Sequence, residues 1–168
     1  MSGYTTTFLG DVHTWEVDAT EHFTVAYYYE KFQSATWRFL HDAGVDPARA
    51  RTTSAVTHYK AELRNRDIFR VETALIEAGN TPTIAHKVLN AETGTLCTAM
   101  LQTLSGVTLD GPTTNWDGDP VEPRDVPGDD AHWVPSARDM VLPSEADWAG
   151  NLALPGYIHR FSTANSFV

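Results

Sequence analysis

WEVDATEHFTVAYYYEKFQSATWRFLHDAGVD, residues 15–46, holds the reading on which the fold turns. From Val25 onward Tyr28, Tyr29, Phe32, Ala35, Phe39, Leu40 and Ala43 recur at helical spacing and form one apolar stripe. Thr24 is a residue type that begins helices and Gly44 one that ends them. The spacing predicts a helix over 25–43. Ahead of it, residues 4–17 are rich in Thr, Phe, Val and Trp and read as a strand. Behind it come four segments of period two, over 54–63, 68–78, 83–90 and 95–107. In the second, Phe69, Val71, Thr73 and Leu75 alternate with Arg70, Glu72 and Ala74. The last two are joined by Ala91-Glu92-Thr93-Gly94, a hairpin signal. Short connections favour antiparallel pairing, and a lone apolar helix must lie against the sheet. The expectation is an α+β domain over 1–109, a curved antiparallel sheet wrapped around one long helix.

Beyond Val107 the character changes. Residues 108–147 hold six of the nine prolines, and 110–147 carry ten acids against Arg124 and Arg138, a net of −8 out of −10. Residues 110–146 read as a Pro/Asp-rich linker or arm. The chain turns apolar again over 147–168 and lays over the opening motif at a constant offset of 129. Asp18 falls on Asp147, His22 on Asn151, Tyr28 on Tyr157, Lys31 on Arg160, Phe32 on Phe161 and Ala35 on Ala164. A terminal helix is expected there.

Composition narrows the function. The acidic balance argues against nucleic acid and anionic membranes as partners. No apolar run approaches the ~20 residues of a membrane span, and the amino terminus lacks the look of a signal peptide, so a cytoplasmic location is expected. Cys97 is the single cysteine, which excludes an internal disulfide and a thiolate-rich metal site; it reads as a small buried hydrophobe. The histidines show no metal-ligand spacing, so no metal is expected.

Asp18 stands where strand gives way to helix. Unpaired amides and the positive dipole end at a helix amino terminus can hold a carbonyl oxygen and the oxyanion formed from it. A carboxylate beside them can attack the carbonyl or take a proton from water. Acidic residues also cap helices with no further role. His22 has no serine or cysteine elbow to serve, and reads as ordering the turn. His58 lies on a strand that could line a pocket or pack on the sheet. Arg64, Arg66, Arg70, His86 and Lys87 cluster in the later strands, where they suit phosphates or a solvated sheet face equally well. Glu21 brings a second negative charge near Asp18, which predicts raised carboxyl pKa values there.

The stretch WEVDATEHFTVAYYYEKFQSATW resembles the signature of the 4-hydroxybenzoyl-CoA thioesterase-like branch of the hotdog superfamily, with Asp18, His22 and Tyr28 on its Asp, His and Tyr. THYKAELRNRDIFRVETALIEAG and AHKVLNAETGTLCTAMLQTLSGV are similar to later parts of that family. The likeness covers about residues 4–110. It implies a hotdog fold, hydrolysis of an acyl-CoA thioester, Asp18 as base or nucleophile, and the Val25 backbone amide as oxyanion donor. CoA enters only as part of the substrate, with no cofactor. Tyr28, Tyr29, His58, Arg64, Arg66 and Lys87 become the candidates for substrate contact. Homodimers or tetramers are expected, since one such sheet leaves edges and an apolar face open. The family's Gly and Asn positions are occupied here by Glu21 and Thr24, which leaves a non-catalytic binding or assembly module as the alternative. A hotdog hydratase uses another spacing, which is not found. Some relatives join two modules through a Pro-rich linker, and DWAGNLALPGYIHRFSTAN resembles the opening of the second.

Overall fold

The computed structural model describes residues 3–121, 138–148 and 150–165. Strand β1 (Thr5–Asp11) leads through a single 3-10 turn at Thr14–Glu16 into helix α1 (Val25–Asp42). Strands β2 (Arg51–Tyr59), β3 (Ile68–Glu77), β4 (Thr83–Asn90) and β5 (Leu96–Ser105) follow, and helix α2 (Leu154–Asn165) comes last. The five strands form one antiparallel sheet in the order β1-β3-β4-β5-β2. The expected α+β architecture is present. The first strand is shorter than predicted, because Glu16 draws residues 13–16 into a turn: His13 N–H donates to Glu16 Oε2 at 2.9 Å. The helix ends in a Schellman arrangement, with Gly44 at φ 75° and Val45 N–H bonded to Leu40 O at 2.9 Å. Thr24 sits at the cap position, but its hydroxyl caps nothing.

The apolar stripe of α1 lies on one face of the sheet. Tyr28, Tyr29, Phe32 and Ala35 are buried there with Phe69, Val71, Val88 and Met100. Phe32 is fully covered, and truncating such a side chain costs about 3–5 kcal/mol. Cys97 is buried and free, as its place in an alternating strand suggested. On the opposite face, Lys87, Ala99 and His58 stand in register across β4, β5 and β2. The start of the acidic arm crosses this face: Asp117 pairs with Lys87 at 2.6 Å, and Asp119 with Lys60. The stretch 122–137 of the arm lies outside the described residues.

The terminal segment repeats the conformation of the opening one through several matching bonds. Asp18 N–H donates to His22 O at 2.9 Å and Asp147 N–H to Asn151 O at 2.8 Å. Thr24 N–H reaches Glu16 O at 3.0 Å, and Ala153 N–H reaches Glu145 O at 2.9 Å. Lys31 bonds Glu16 Oε1 at 2.6 Å, and Arg160 bonds Glu145 Oε1 at 3.0 Å. Each partner is displaced by 129 residues. Helix α2 packs beside α1, and Trp148 stacks on Trp37 with ring centres 4.4 Å apart. The difference is in cover: Phe161 is 61% exposed where its counterpart Phe32 is at 0%. The counterpart of Ala35, Ala164, has a side chain outside the described set.

Candidate active site

The segment between β1 and α1 is held by a buried ion pair. Glu16 is 2% and Lys31 8% exposed, and Lys31 also reaches Glu30 at 3.2 Å. Burial alone lowers the Lys31 pKa, but the bond to Glu16 and the charges of Glu30 and Glu16 outweigh it and raise the value. Glu16 therefore fastens the turn to the second turn of α1.

Within this frame Asp18 folds the next residues around one of its oxygens. Oδ1 accepts from Thr20 N–H at 2.8 Å, Thr20 Oγ1 at 2.7 Å and His22 N–H at 3.1 Å. Among the described residues Oδ2 has no such donor. The Thr20 hydroxyl first, then the His22 and Thr20 amides, hold the Asp18 carboxyl below its usual pKa. This corrects the expectation that Glu21 would raise it. Glu21 is exposed on the tight turn, and donors to the charged form prevail over a neighbouring charge in water. Since Thr20 gives its one hydroxyl proton to Asp18, it accepts from His22 Nδ1–H across 3.1 Å. The other ring nitrogen lies 3.1 Å from Glu62 Oε2. His22 is thus tied into the turn through backbone and ring alike, in the ordering position the sequence suggested.

Asp18 opens on a cleft of about 730 Å³, whose lining includes Val25, Tyr28, Tyr59 and Lys60. The first amides of α1, on Val25 and Ala26, have no acceptor among the described residues, whereas Tyr27 and Tyr28 N–H both turn back to Thr24 O. Tyr28 and Tyr59 meet edge to face, 5.8 Å between centres, and give the cleft an aromatic wall. Burial, partly relieved by the Leu63 amide that donates to its oxygen, pushes the Tyr28 phenol up to about 12, so it stays neutral. Helix α2 supplies His159 and Ser162 on the far side. The arrangement sets an ionised carboxylate, open helix amides and an aromatic wall in one concavity, the elements for adding water to a carbonyl.

The remaining candidates are dispersed. Tyr29 is buried and bonds Thr57 Oγ1 at 2.8 Å, away from the cleft lining. His58 projects from the opposite face of β2, 3.5 Å from Asp119, because Thr57 and Tyr59 take the helix side and strand residues alternate. Arg64 lies close to the turn, its backbone paired with that of His22, and Arg66 follows at φ 72°. Lys87 is on the outer face with Asp117, and Arg70 pairs with Glu72 at 2.8 Å. His86 corrects the reading of it as a surface cation. It is wholly buried under α1, with Nδ1 2.8 Å from Thr73 Oγ1 and Nε2 3.1 Å from both Thr36 Oγ1 and Gln102 Oε1. The sequence reading missed Thr20, Glu62, Lys60, Ser162 and His159. Of these only Thr20 left a local signal, a hydroxyl two residues after an aspartate, which favours such a turn. No cluster of three metal-ligating side chains occurs among the described residues, and no helix among them is long and apolar enough to cross a membrane.

Known proteins share this fold. The chain is similar in fold to a Pseudomonas putida protein at 20% identity, TM-score 0.58, over 67% of this chain and 78% of that one. A hypothetical protein of Staphylococcus aureus, solved in complex with CoA, gives 20% identity and TM-score 0.57, over 64% and 73%. The DHNA-CoA thioesterase of Staphylococcus aureus gives 17% and 0.56, over 62% and 74%. No curated protein matches. The family model of the thioesterase-like superfamily matches residues 12–134, more than half the chain and all of the turn, helix and strands β2–β5. The chain therefore belongs to the thioesterase-like superfamily, and with it to the thioester hydrolases.

Proposed function

We propose that this protein hydrolyses an acyl-CoA thioester in the Asp18 cleft. The observation that carries the reading is the pairing of an ionised carboxylate, one oxygen committed to its own turn and the other open, with unfilled amides at the head of α1. The thioester carbonyl oxygen takes the Val25 N–H. Asp18 then removes a proton from water, and the water oxygen bonds to the carbonyl carbon. The carbonyl π electrons move to the oxygen, where the amide and the helix dipole stabilise them. Collapse expels the CoA thiolate, which recovers a proton from Asp18. Direct attack by Asp18, with an acyl-aspartyl anhydride cleaved by water, uses the same groups and reaches the same products.

Tyr28 and Tyr59 wall the acyl or pantetheine portion, and Arg64 and Arg66 are candidates for the CoA phosphates. His22 orients the turn and takes no proton. Lys87 is already paired with an acid and contributes less. A cytoplasmic protein working as a homodimer or tetramer belongs to the same reading, supported by the two sheet edges, β1 and β2.

The test is thiol release from short, medium and aromatic acyl-CoAs by the native protein and by Asp18→Asn. Loss of at least ~100-fold, with unchanged circular dichroism and melting, is the expected result. No release from any of the panel by the folded native protein would transfer the assignment to a binding module.

A further inference from the structure

The two copies of the turn-and-helix unit are arranged reciprocally. The Asp18 cleft takes one wall from α2, at His159 and Ser162. A second cavity, of about 280 Å³, takes Asp147, Asn151, Ala153 and Leu154 from the second copy and a wall from α1 at Gln33, Thr36 and Trp37. The shift of 129 carries Asp18, His22, Thr24 and Val25 onto those first four residues, and Gln33 onto Ser162. Residues 33 and 162 are therefore counterparts, and each lies across from the amino terminus of the other copy's helix.

The counterparts differ in reach. Gln33 Oε1 accepts from Leu154 N–H at 3.0 Å. Leu154 is the counterpart of Val25, so the amide that remains open in the first copy is filled in the second by a carbonyl of the protein itself. Arg51 adds a cation 3.7 Å from the Asp147 carboxylate. The second copy is shut by these two neighbours. A serine hydroxyl is one bond from Cβ, and a glutamine carbonyl oxygen three, so the side chain of Ser162 cannot span what Gln33 spans.

We infer that residue 162 gates the Asp18 cleft: Ser162 leaves the Val25 amide to a substrate carbonyl, and a glutamine there closes it as Gln33 closes Leu154. The catalytic consequence rests on the role proposed for Val25, and the geometry does not.

Amide hydrogen exchange by NMR, read beside thiol release, separates the two. In the native protein the Leu154 amide exchanges at least ~10-fold more slowly than that of Val25, and Gln33→Ala removes the difference. Ser162→Gln slows Val25 exchange by ~10-fold or more and lowers kcat/KM for thioester hydrolysis by at least the same factor. Ser162→Leu, of similar reach but without an acceptor, leaves Val25 exchange at the native rate. Unchanged Val25 exchange in folded Ser162→Gln protein overturns the gate, as does equal slowing by leucine, which would assign the effect to bulk. Slowed exchange with undiminished hydrolysis keeps the gate and removes Val25 from the proposed mechanism.

Discussion

Glu21 and Gly150 occupy the same place in two copies of one turn, and both have positive φ, 63° and 79°. The left-handed residue reverses the chain just after it, so that His22 O can accept from Asp18 N–H at 2.9 Å and Asn151 O from Asp147 N–H at 2.8 Å. A glycine does this freely, whereas a glutamate bears a Cβ clash of about 1–2 kcal/mol. Glu21→Gly is therefore expected to stabilise the protein, by about 0.5–1 kcal/mol once the added freedom of the unfolded chain is deducted. Chemical denaturation of the two proteins measures it. A destabilised variant would mean that the Glu21 side chain has a role of its own.

The buried pair of Glu16 and Lys31 makes a second case. Lys31→Met leaves a carboxylate at 2% exposure facing an apolar side chain, and is expected to cost about 3–5 kcal/mol in urea unfolding. Adding Glu16→Gln removes the stranded charge and should recover most of that loss. If the double variant is no more stable than the single one, the pair is not what fastens the turn.

Much of this architecture is legible in the sequence, and the pattern of what is not has physical reasons. The α1 stripe and the Ala91–Gly94 hairpin are local, so periodicity and turn chemistry reach them. The extent of the first strand is not, because Glu16 spends its carboxylate on His13 N–H and Lys31, a choice made by tertiary contact. His58 was left between pocket and sheet face and His86 was read as a surface cation for one cause: each requires the parity of its strand against the helix, and an isolated histidine does not report it. The position of Asp18 ahead of α1 was legible because its motif precedes an obvious helix. The 129-residue offset pointed to a second copy, but that α2 lies beside α1 and walls the Asp18 cleft comes from packing alone.

Asp18 owes its depressed pKa first to the Thr20 hydroxyl. If the ionised carboxylate is the active form, kcat/KM is flat near neutrality, and the midpoint of its acid limb lies below the ordinary aspartate value of 3.8. Thr20→Val removes the leading donor and should move that acid limb upward, toward the ordinary carboxylate value, while Asp18 keeps two backbone donors. An unmoved limb would show that the group titrating in the profile is not Asp18.

His86 sets a different dependence on acidity, in stability. Burial pushes its pKa down from 6.5 to about 4, against the opposing effect of its bond to Gln102. As pH falls below 6.5 the unfolded chain takes up a proton that the folded protein refuses until about 4. The unfolded state therefore binds more protons throughout that window, and stability declines across it by on the order of 3 kcal/mol before levelling off. Replacing the ring by His86→Gln keeps a donor and an acceptor among Thr73, Thr36 and Gln102 but removes the titration. The variant should thus show a flatter profile between pH 6.5 and 4 in urea unfolding at several pH values, whatever its stability at neutrality. The same slope in both proteins would place the titrating group elsewhere and would mean that the folded protein admits a proton at His86 as readily as the unfolded chain does.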